Sequence, residues 1–302
     1  MKLLPLITCV LFGFSSLALA DSKRVDFTIA FQEVETNLGI ITTSVMPSDR
    51  LTITTLADAR SESGTLARIK DGWEWQAPAT PGHYPVTFEY LSEKIVLQVF
   101  VLTPFKNGEE DSLDGFRIGS YVKELFRGLA TYSPPRGFVS LAYAPPELAV
   151  SPSFTVSQFI SKQQPDHGPG YLLVLPAMLI KLETLLEAAN QNGWSAPTLY
   201  VMSGFRTPYY NRSIGNNTST SRHLYGGAAD VWIDGDGDGQ MDDLNADGQI
   251  TRDDAVILAS LAESLALKGG RDWPVGGIGI YDATAYHGPF VHIDARGYRA
   301  RW

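Results

Sequence analysis

The sequence predicts an α+β domain with a mainly antiparallel sheet, preceded by an all-β immunoglobulin-like sandwich. Three observations carry this reading. Residues 21–105 consist of short runs rich in β-branched and aromatic residues, separated by turn clusters such as "PSD" and "TPG". Residues 150–302 hold four strand-like runs and only two strong helical patterns. Those strands do not alternate with helices, as βαβ units would, so the sheet they build is mainly antiparallel.

Taken in order, the first element is "MKLLPLITCVLFGFSSLALA", residues 1–20. Lys2, a long apolar core and the small residues Ala18 and Ala20 make the pattern of a cleaved secretory signal peptide. Cys9 is the only cysteine, so removing the signal leaves no disulfide and no thiolate ligand. The formal net charge of −9 becomes one unit more negative without Lys2, and no basic block follows, which argues against a nucleic-acid partner. No later run reaches the roughly 18 apolar residues of a membrane span. The expected location is the bacterial envelope: periplasmic or secreted.

From Asp21 to Phe105 the runs "FTIAF", "LTITTL", "YPVTFEY" and "KIVLQVFVL" read as strands. The stretch "WEWQAPATPGHYPVTFEY" has the look of an immunoglobulin-like envelope module, whose partner is unknown. His83, beside its turn, reads as structural. Residues 106–149 form a linker and wrapping segment: polar "KNGEEDSLDG", then "IGSYVKELFRGLA" with apolar residues at helical spacing, then a Pro-rich loop. In "PAMLIKLETLLEAANQNG", Pro176 suits a first turn, Met178, Leu179, Leu182, Leu185, Leu186 and Ala189 make one stripe, and Gly193 suits the end. After it come strands "TLYVMSGF", "AADVWI", "GGIGIY" and "PFVHIDA", with a second helix from about Asp253 to Lys268.

The chemistry concentrates in "SRHLYGGAADVW". Gly226 and Gly227 permit a tight reversal after His223, and Ala228 and Ala229 admit the chain to a crowded strand, returning Asp230 toward the imidazole. A catalytic metal needs a third protein ligand. The other clustered histidines are His287 and His292 in "YHGPFVHID", and alternation puts His292 on one face with Phe290 and Asp294. His, Asp and His leave a fourth tetrahedral position for water, whose pKa zinc lowers to about 7.

The pattern Ser221-x-His223-x-x-Gly226-x-Ala228-x-Asp230, with "SGFRTPYYN" before it and "GGIGIY…GPFVHID" after it, resembles the zinc D-Ala-D-Ala carboxypeptidases and dipeptidases (LAS-type metallopeptidases), and most closely the murein endopeptidases of the MepK type. The resemblance covers about residues 150–302. It implies His223, Asp230 and His292 as zinc ligands and peptidoglycan peptides as substrate. It also implies Arg206 as the group that meets a substrate carboxylate or a developing oxyanion, a task suited to a permanently charged planar fork. One departure stands out: several members carry a glutamate general base shortly before the last histidine, and residues 271–302 contain none. His287, five residues before His292, stands where other members carry a histidine near the zinc water, so the resemblance favours it as the proton-handling group. The alternative is that Asp294 orients a ligand histidine. Ser221 either caps its turn or touches substrate, and His167 reads as a loop residue.

A second signal is the acidic loop 234–254, "DGDGDGQMDDLNADGQITRDD". Asp243, Asn245, Asp247, Gln249, Thr251 and Asp254 fall at positions 1, 3, 5, 7, 9 and 12 of an EF-hand loop, with Gly248 at 6 and Ile250 at 8, so calcium is the expected ion. Asp234, Asp236 and Asp238 begin a similar, overlapping run. The sequence thus reads as an exported zinc peptidase cutting stem or cross-link peptides. The rival reading is a non-catalytic envelope-binding protein on the same zinc fold.

Overall fold

Period-two burial builds the N-terminal strands. In β1 (Arg24–Phe31) Phe27, Ile29 and Phe31 turn inward and Asp26 outward. β2 (Val34–Leu38), β3 (Ile40–Val45), β4 (Arg50–Thr54), β5 (Asp58–Ser61), β6 (Thr65–Ile69), β7 (Gly72–Gln76), β8 (Gly82–Tyr90) and β9 (Glu93–Val101) come next along the chain. They form a five-stranded sheet of order β2-β1-β4-β7-β6 and a four-stranded sheet of order β3-β9-β8-β5. Every pairing in both is antiparallel except β3 with β9. Trp75 is fully buried, and its indole N–H donates to the Ser63 carbonyl at 2.8 Å. The structure is a computed structural model describing residues 23–302, so the signal peptide assigned to residues 1–20, with Cys9, lies outside the described residues.

Short strands dominate the next stretch: β10 (Thr103–Pro104), β11 (Ser112–Leu113), β12 (Phe116–Arg117), β13 (Gly137–Ser140), β14 (Ala149–Ser151), β15 (Phe154–Thr155) and β16 (Tyr171–Leu172). The helical spacing of residues 118–130 does not become an α-helix. The Asn107 side chain accepts from Tyr121 N–H and donates to Tyr121 C=O, which removes Tyr121 from any helical ladder. Gly119, Arg127 and Gly128 adopt left-handed backbone conformations, and only 3₁₀ turns form at Phe126–Gly128 and Ala130–Tyr132. This segment braces the C-terminal part of the chain at three points. The Tyr121 hydroxyl donates to Leu224 C=O at 2.9 Å, the Thr131 hydroxyl donates to Arg296 C=O at 2.9 Å, and the buried Arg222 guanidinium donates to Thr131 C=O.

Helix α1 (Pro176–Gln191) buries the expected stripe and more, since Ile180, Lys181 and Glu183 are also buried. Lys181 Nζ donates to Asp294 C=O at 2.6 Å, and Glu183 accepts from Ser151 Oγ at 2.7 Å and Ser153 N–H at 2.6 Å. These bonds satisfy charged groups that would otherwise be costly to bury. Asn192 caps the helix and Gly193 follows with φ 90°. Further on come β17 (Leu199–Ser203), α2 (Pro208–Ser213), β18 (Ala228–Ile233), α3 (Arg252–Lys268), β19 (Gly277–Tyr281), β20 (Phe290–Asp294) and β21 (Ala300–Arg301). The five strands form one sheet of order β17-β18-β20-β19-β21, antiparallel except where β19 meets β21. Helix α3 packs against β19 and β20, and α1 against α3. Val231, Ile233, Val291 and Ile293 alternate with Asp230, Trp232, Phe290 and His292, which therefore share the opposite face. Polar contacts join this part to the N-terminal sheets: Arg24 with Glu187 at 2.8 Å and Thr42 Oγ1 to Val150 C=O at 2.9 Å.

Candidate metal centre

Register creates the centre. Asp230 on β18 sits directly opposite His292 on β20, and Ser203 opposite Asp230 on its other side. His223 arrives from a 3₁₀ turn, Arg222–Tyr225, that ends at Gly226 with φ 66°. A Cβ at Gly226 would stand 2.6 Å from the Leu173 carbonyl carbon and oxygen, so both the backbone conformation and the space require glycine here. The His223 Nδ1–H donates to Gly204 C=O at 2.7 Å, which fixes the tautomer and leaves Nε2 facing inward.

Three donor atoms then converge. His223 Nε2 lies 3.3 Å from Asp230 Oδ1 and 3.3 Å from His292 Nδ1, and the latter two are 2.8 Å apart. Tetrahedral zinc with bonds of about 2.0–2.1 Å requires ligand atoms about 3.3 Å apart, so two of the three separations already match and the third must open slightly. All three residues are buried. Each is held from behind: Asp230 Oδ2 accepts from Arg206 Nη2 at 2.7 Å, and His292 Nε2 meets Asp294 Oδ2 at 3.1 Å. Asp294 also accepts from Gly277 N–H at 2.8 Å and from Arg296.

The charges suit a cation. Burial lowers the His223 pKa, and Arg206 and His292 lower it further against the pull of Asp230, so the imidazole is neutral and able to ligate. Burial works against the His292 cation as well, yet hydrogen bonds to Asp230 and Asp294 outweigh it and raise the pKa. For Asp230 burial favours the acid, but His223 and His292 hold the carboxyl well below its usual range. The two carboxylates beside His292 thus favour positive charge at this point, which a bound metal ion would supply in place of a proton.

The other site residues read from the sequence occupy distinct places around this group. Arg206 joins the centre, its Nε donating to Ser203 Oγ at 2.7 Å, and it lines a groove of about 410 Å³ with Ile160, Gly204 and Tyr210. Ser221 precedes the His223 turn and its hydroxyl caps nothing there. His287 lies in the loop before β20, half-buried and edge-on to Phe290 with centroids 5.0 Å apart, outside the three-ligand group. Asp294 takes the orienting position behind His292.

The acidic loop brings together a different set from the one its second run suggested. Asp234, Asp236 and Asp242 offer oxygens within 4.8 Å of one another. Burial raises the Asp242 pKa, opposed by the Gly235 N–H, and its neighbours Asp236, Asp234 and Asp238 raise it further. Asp254 instead turns both oxygens onto backbone, accepting from Leu244 N–H and Thr251 N–H at 2.8 Å each as part of the α3 cap. Asp243, Asn245 and Asp247 accept backbone N–H groups within their own turn, and Gln249 donates its N–H to Asp247. Asp242 was legible, because it stands at position 9 counted from Asp234, with Gly239 at 6 and buried Met241 at 8.

Residues 152–249 match the family model Peptidase M15. The match supports the zinc peptidases of the D-Ala-D-Ala carboxypeptidase-like kind for this stretch, which contains Arg206, His223 and Asp230 and ends before His292. No curated protein matches the chain. Members of this family are zinc-dependent hydrolases, and the His-Asp-His group among the described residues fits that chemistry.

Proposed function

We propose that this chain is an exported zinc peptidase, a D-Ala-D-Ala carboxypeptidase or murein endopeptidase, acting in the periplasm or outside the cell on stem or cross-link peptides of peptidoglycan. The observation that supports it best is the convergence of His223 Nε2, Asp230 Oδ1 and His292 Nδ1 on one point, each held by a second residue. In this reading these three hold zinc, which supplies a Lewis acid and an activated water. Arg206 lies beside them with its guanidinium already oriented by Ser203 and Asp230, ready to meet a carboxylate or an oxygen gaining charge. His287, in the loop before β20 and edge-on to Phe290, is assigned the proton transfer to the departing amine. Ser221, with no capping bond to make, faces substrate. Residues 21–105 form a separate immunoglobulin-like module, residues 106–149 wrap the peptidase part, and residues 150–302 carry the chemistry. Calcium in the acidic loop, at Asp234, Asp236 and Asp242, offsets the burial and the mutual repulsion that together raise the Asp242 pKa.

The test is digestion of purified peptidoglycan peptides by zinc-loaded protein, with products identified by mass. Hydrolysis is expected from the parent. His223→Ala should fold, bind no zinc and release nothing. Full zinc content in that variant would dismantle the ligand assignment.

A further inference from the structure

A transverse row crosses the sheet through the centre: Ser203, Asp230, His292 and Gly279 sit opposite one another in register. The first three positions carry the groups already described. The fourth has no side chain, and the Trp302 indole fills its place. A Cβ on Gly279 would come within 2.5–2.8 Å of indole Cε2, Nε1 and Cζ2, and a Cβ on Gly277 within 3.0 Å of Cη2 and Cζ3 of the same ring. The indole thus lies on bare backbone of β19 that any larger residue would deny it.

Several contacts fix it there. Its Nε1–H donates to the Tyr281 hydroxyl at 2.7 Å, and the Ile280 N–H donates to Trp302 C=O at 3.0 Å. The Arg296 guanidinium stands 4.8 Å from the ring centroid, and the His292 ring centroid is 5.2 Å away. Tyr281 is itself stacked on Phe290 at 4.6 Å. Yet Trp302 remains 46% exposed. A large apolar ring held rigidly, half in water and against a ligand histidine, has the properties of a binding wall rather than a core residue. On the other side of the centre stands Arg206, bonded to Asp230. The centre therefore has a cationic flank at Arg206 and an aromatic flank at Trp302, whose ring also meets Arg296.

We propose that Trp302 is a specificity-determining residue that packs against the small aliphatic side chain of the residue supplying the scissile carbonyl, while the Arg206 flank receives the carboxylate-bearing side of the peptide. This inference rests on the peptidase reading above. One methyl group against a half-open aromatic wall should favour an alanyl over a glycyl residue about 4- to 10-fold.

The experiment uses the zinc-loaded full chain with N-acetyl-D-Ala-D-Ala and N-acetyl-Gly-D-Ala, comparing parent, Trp302→Phe, Trp302→Ala and Gly279→Ala. Hydrolysis, calorimetric peptide affinity and zinc stoichiometry are measured for each. Trp302→Ala should retain zinc, weaken affinity and raise KM for the alanyl peptide about 10-fold, and lose the preference for it; Trp302→Phe should keep most of the preference. Gly279→Ala, which lifts the indole without removing it, should reproduce Trp302→Ala, and the two together should cost no more than either. An alanyl preference unchanged in Trp302→Ala, or zinc lost from it, would overturn the wall and leave the peptidase reading standing. A parent that neither cleaves nor binds either dipeptide would overturn the wall alone; the peptidase reading falls only if peptidoglycan peptides also stay uncut.

Discussion

Replacing Asp294 by asparagine tests how the centre is held. Asp294 is fully buried, with one oxygen accepting from Gly277 N–H and Arg296 N–H and the other meeting His292 Nε2 and the Arg296 guanidinium. All of these partners present N–H groups, so an amide must turn its own NH₂ toward donors whichever way it is flipped. Breaking a buried charged pair costs about 3–5 kcal/mol; Arg296 keeps some access to water, so the lower end, about 3 kcal/mol, applies. With an unfolding entropy of about 2.1 cal/mol/K per residue over a chain of this size, that lowers Tm by about 5 °C. Loss of the group behind a ligand histidine should also weaken zinc binding about 10- to 100-fold. The pH dependence has a definite sign. Burial alone would raise the Asp294 pKa, but His292 and Arg296 hold it far below the usual carboxylate range, so its contribution is complete above an unfolded carboxyl pKa of about 4 and fades only in strong acid. Asp294 also helps raise the His292 pKa, so in the metal-free proteins the Tm gap between parent and Asp294→Asn should be widest at pH 6 and narrow as pH rises and His292 loses its proton. The assays are thermal melts of the metal-free proteins and zinc competition against a coloured chelator. Zinc affinity within twofold of the parent, with Tm lowered, would show that Asp294 supports the sheet and does not orient His292.

The same geometry makes three further outcomes testable. His287→Ala should keep full zinc content and lose about 10²- to 10⁴-fold in kcat, because His287 lies outside the ligand group; metal lost with activity would place it among the ligands. Calcium at 100 times its Kd should stabilise the fold by about 2.7 kcal/mol, an effect that Asp234→Asn with Asp242→Asn removes. Asp254→Ala should instead lower Tm with or without calcium, since it deletes the α3 cap, and equal melts of the parent in calcium and in chelator would exclude the ion.

Local chemistry explains what was legible in the sequence. Alternation in "RVDFTIAF" and "FVHID" and the stripe in α1 are written residue by residue, so strands, helices and the shared face of His292 and Asp294 could be read directly. Gly226 announced a reversal, and the structure gives its cause in φ 66° and the Leu173 carbonyl. The helical spacing of residues 118–130 misled because Asn107, distant in sequence, claims the Tyr121 backbone. Gly204 C=O behind His223 was invisible, since a carbonyl leaves no residue-specific mark. Trp302 was equally hidden: its place depends on the pairing of β21 with β19, which no spacing encodes.

Asp230 and His292 touch across a strand pair although 62 residues separate them in the chain. The acidic loop, α3 and β19 all lie in that interval. A metal bridging the two strands would thus clasp the ends of one long excursion, and the entropy of closing a loop rises by only about 0.6 kcal/mol for each doubling of its length. The acidic loop within it could lengthen by tens of residues without altering the clasp, provided β18, β19 and β20 stay in register. Insertion in the acidic loop should thereby leave the centre intact, and the Peptidase M15 match ends within that loop, at residue 249.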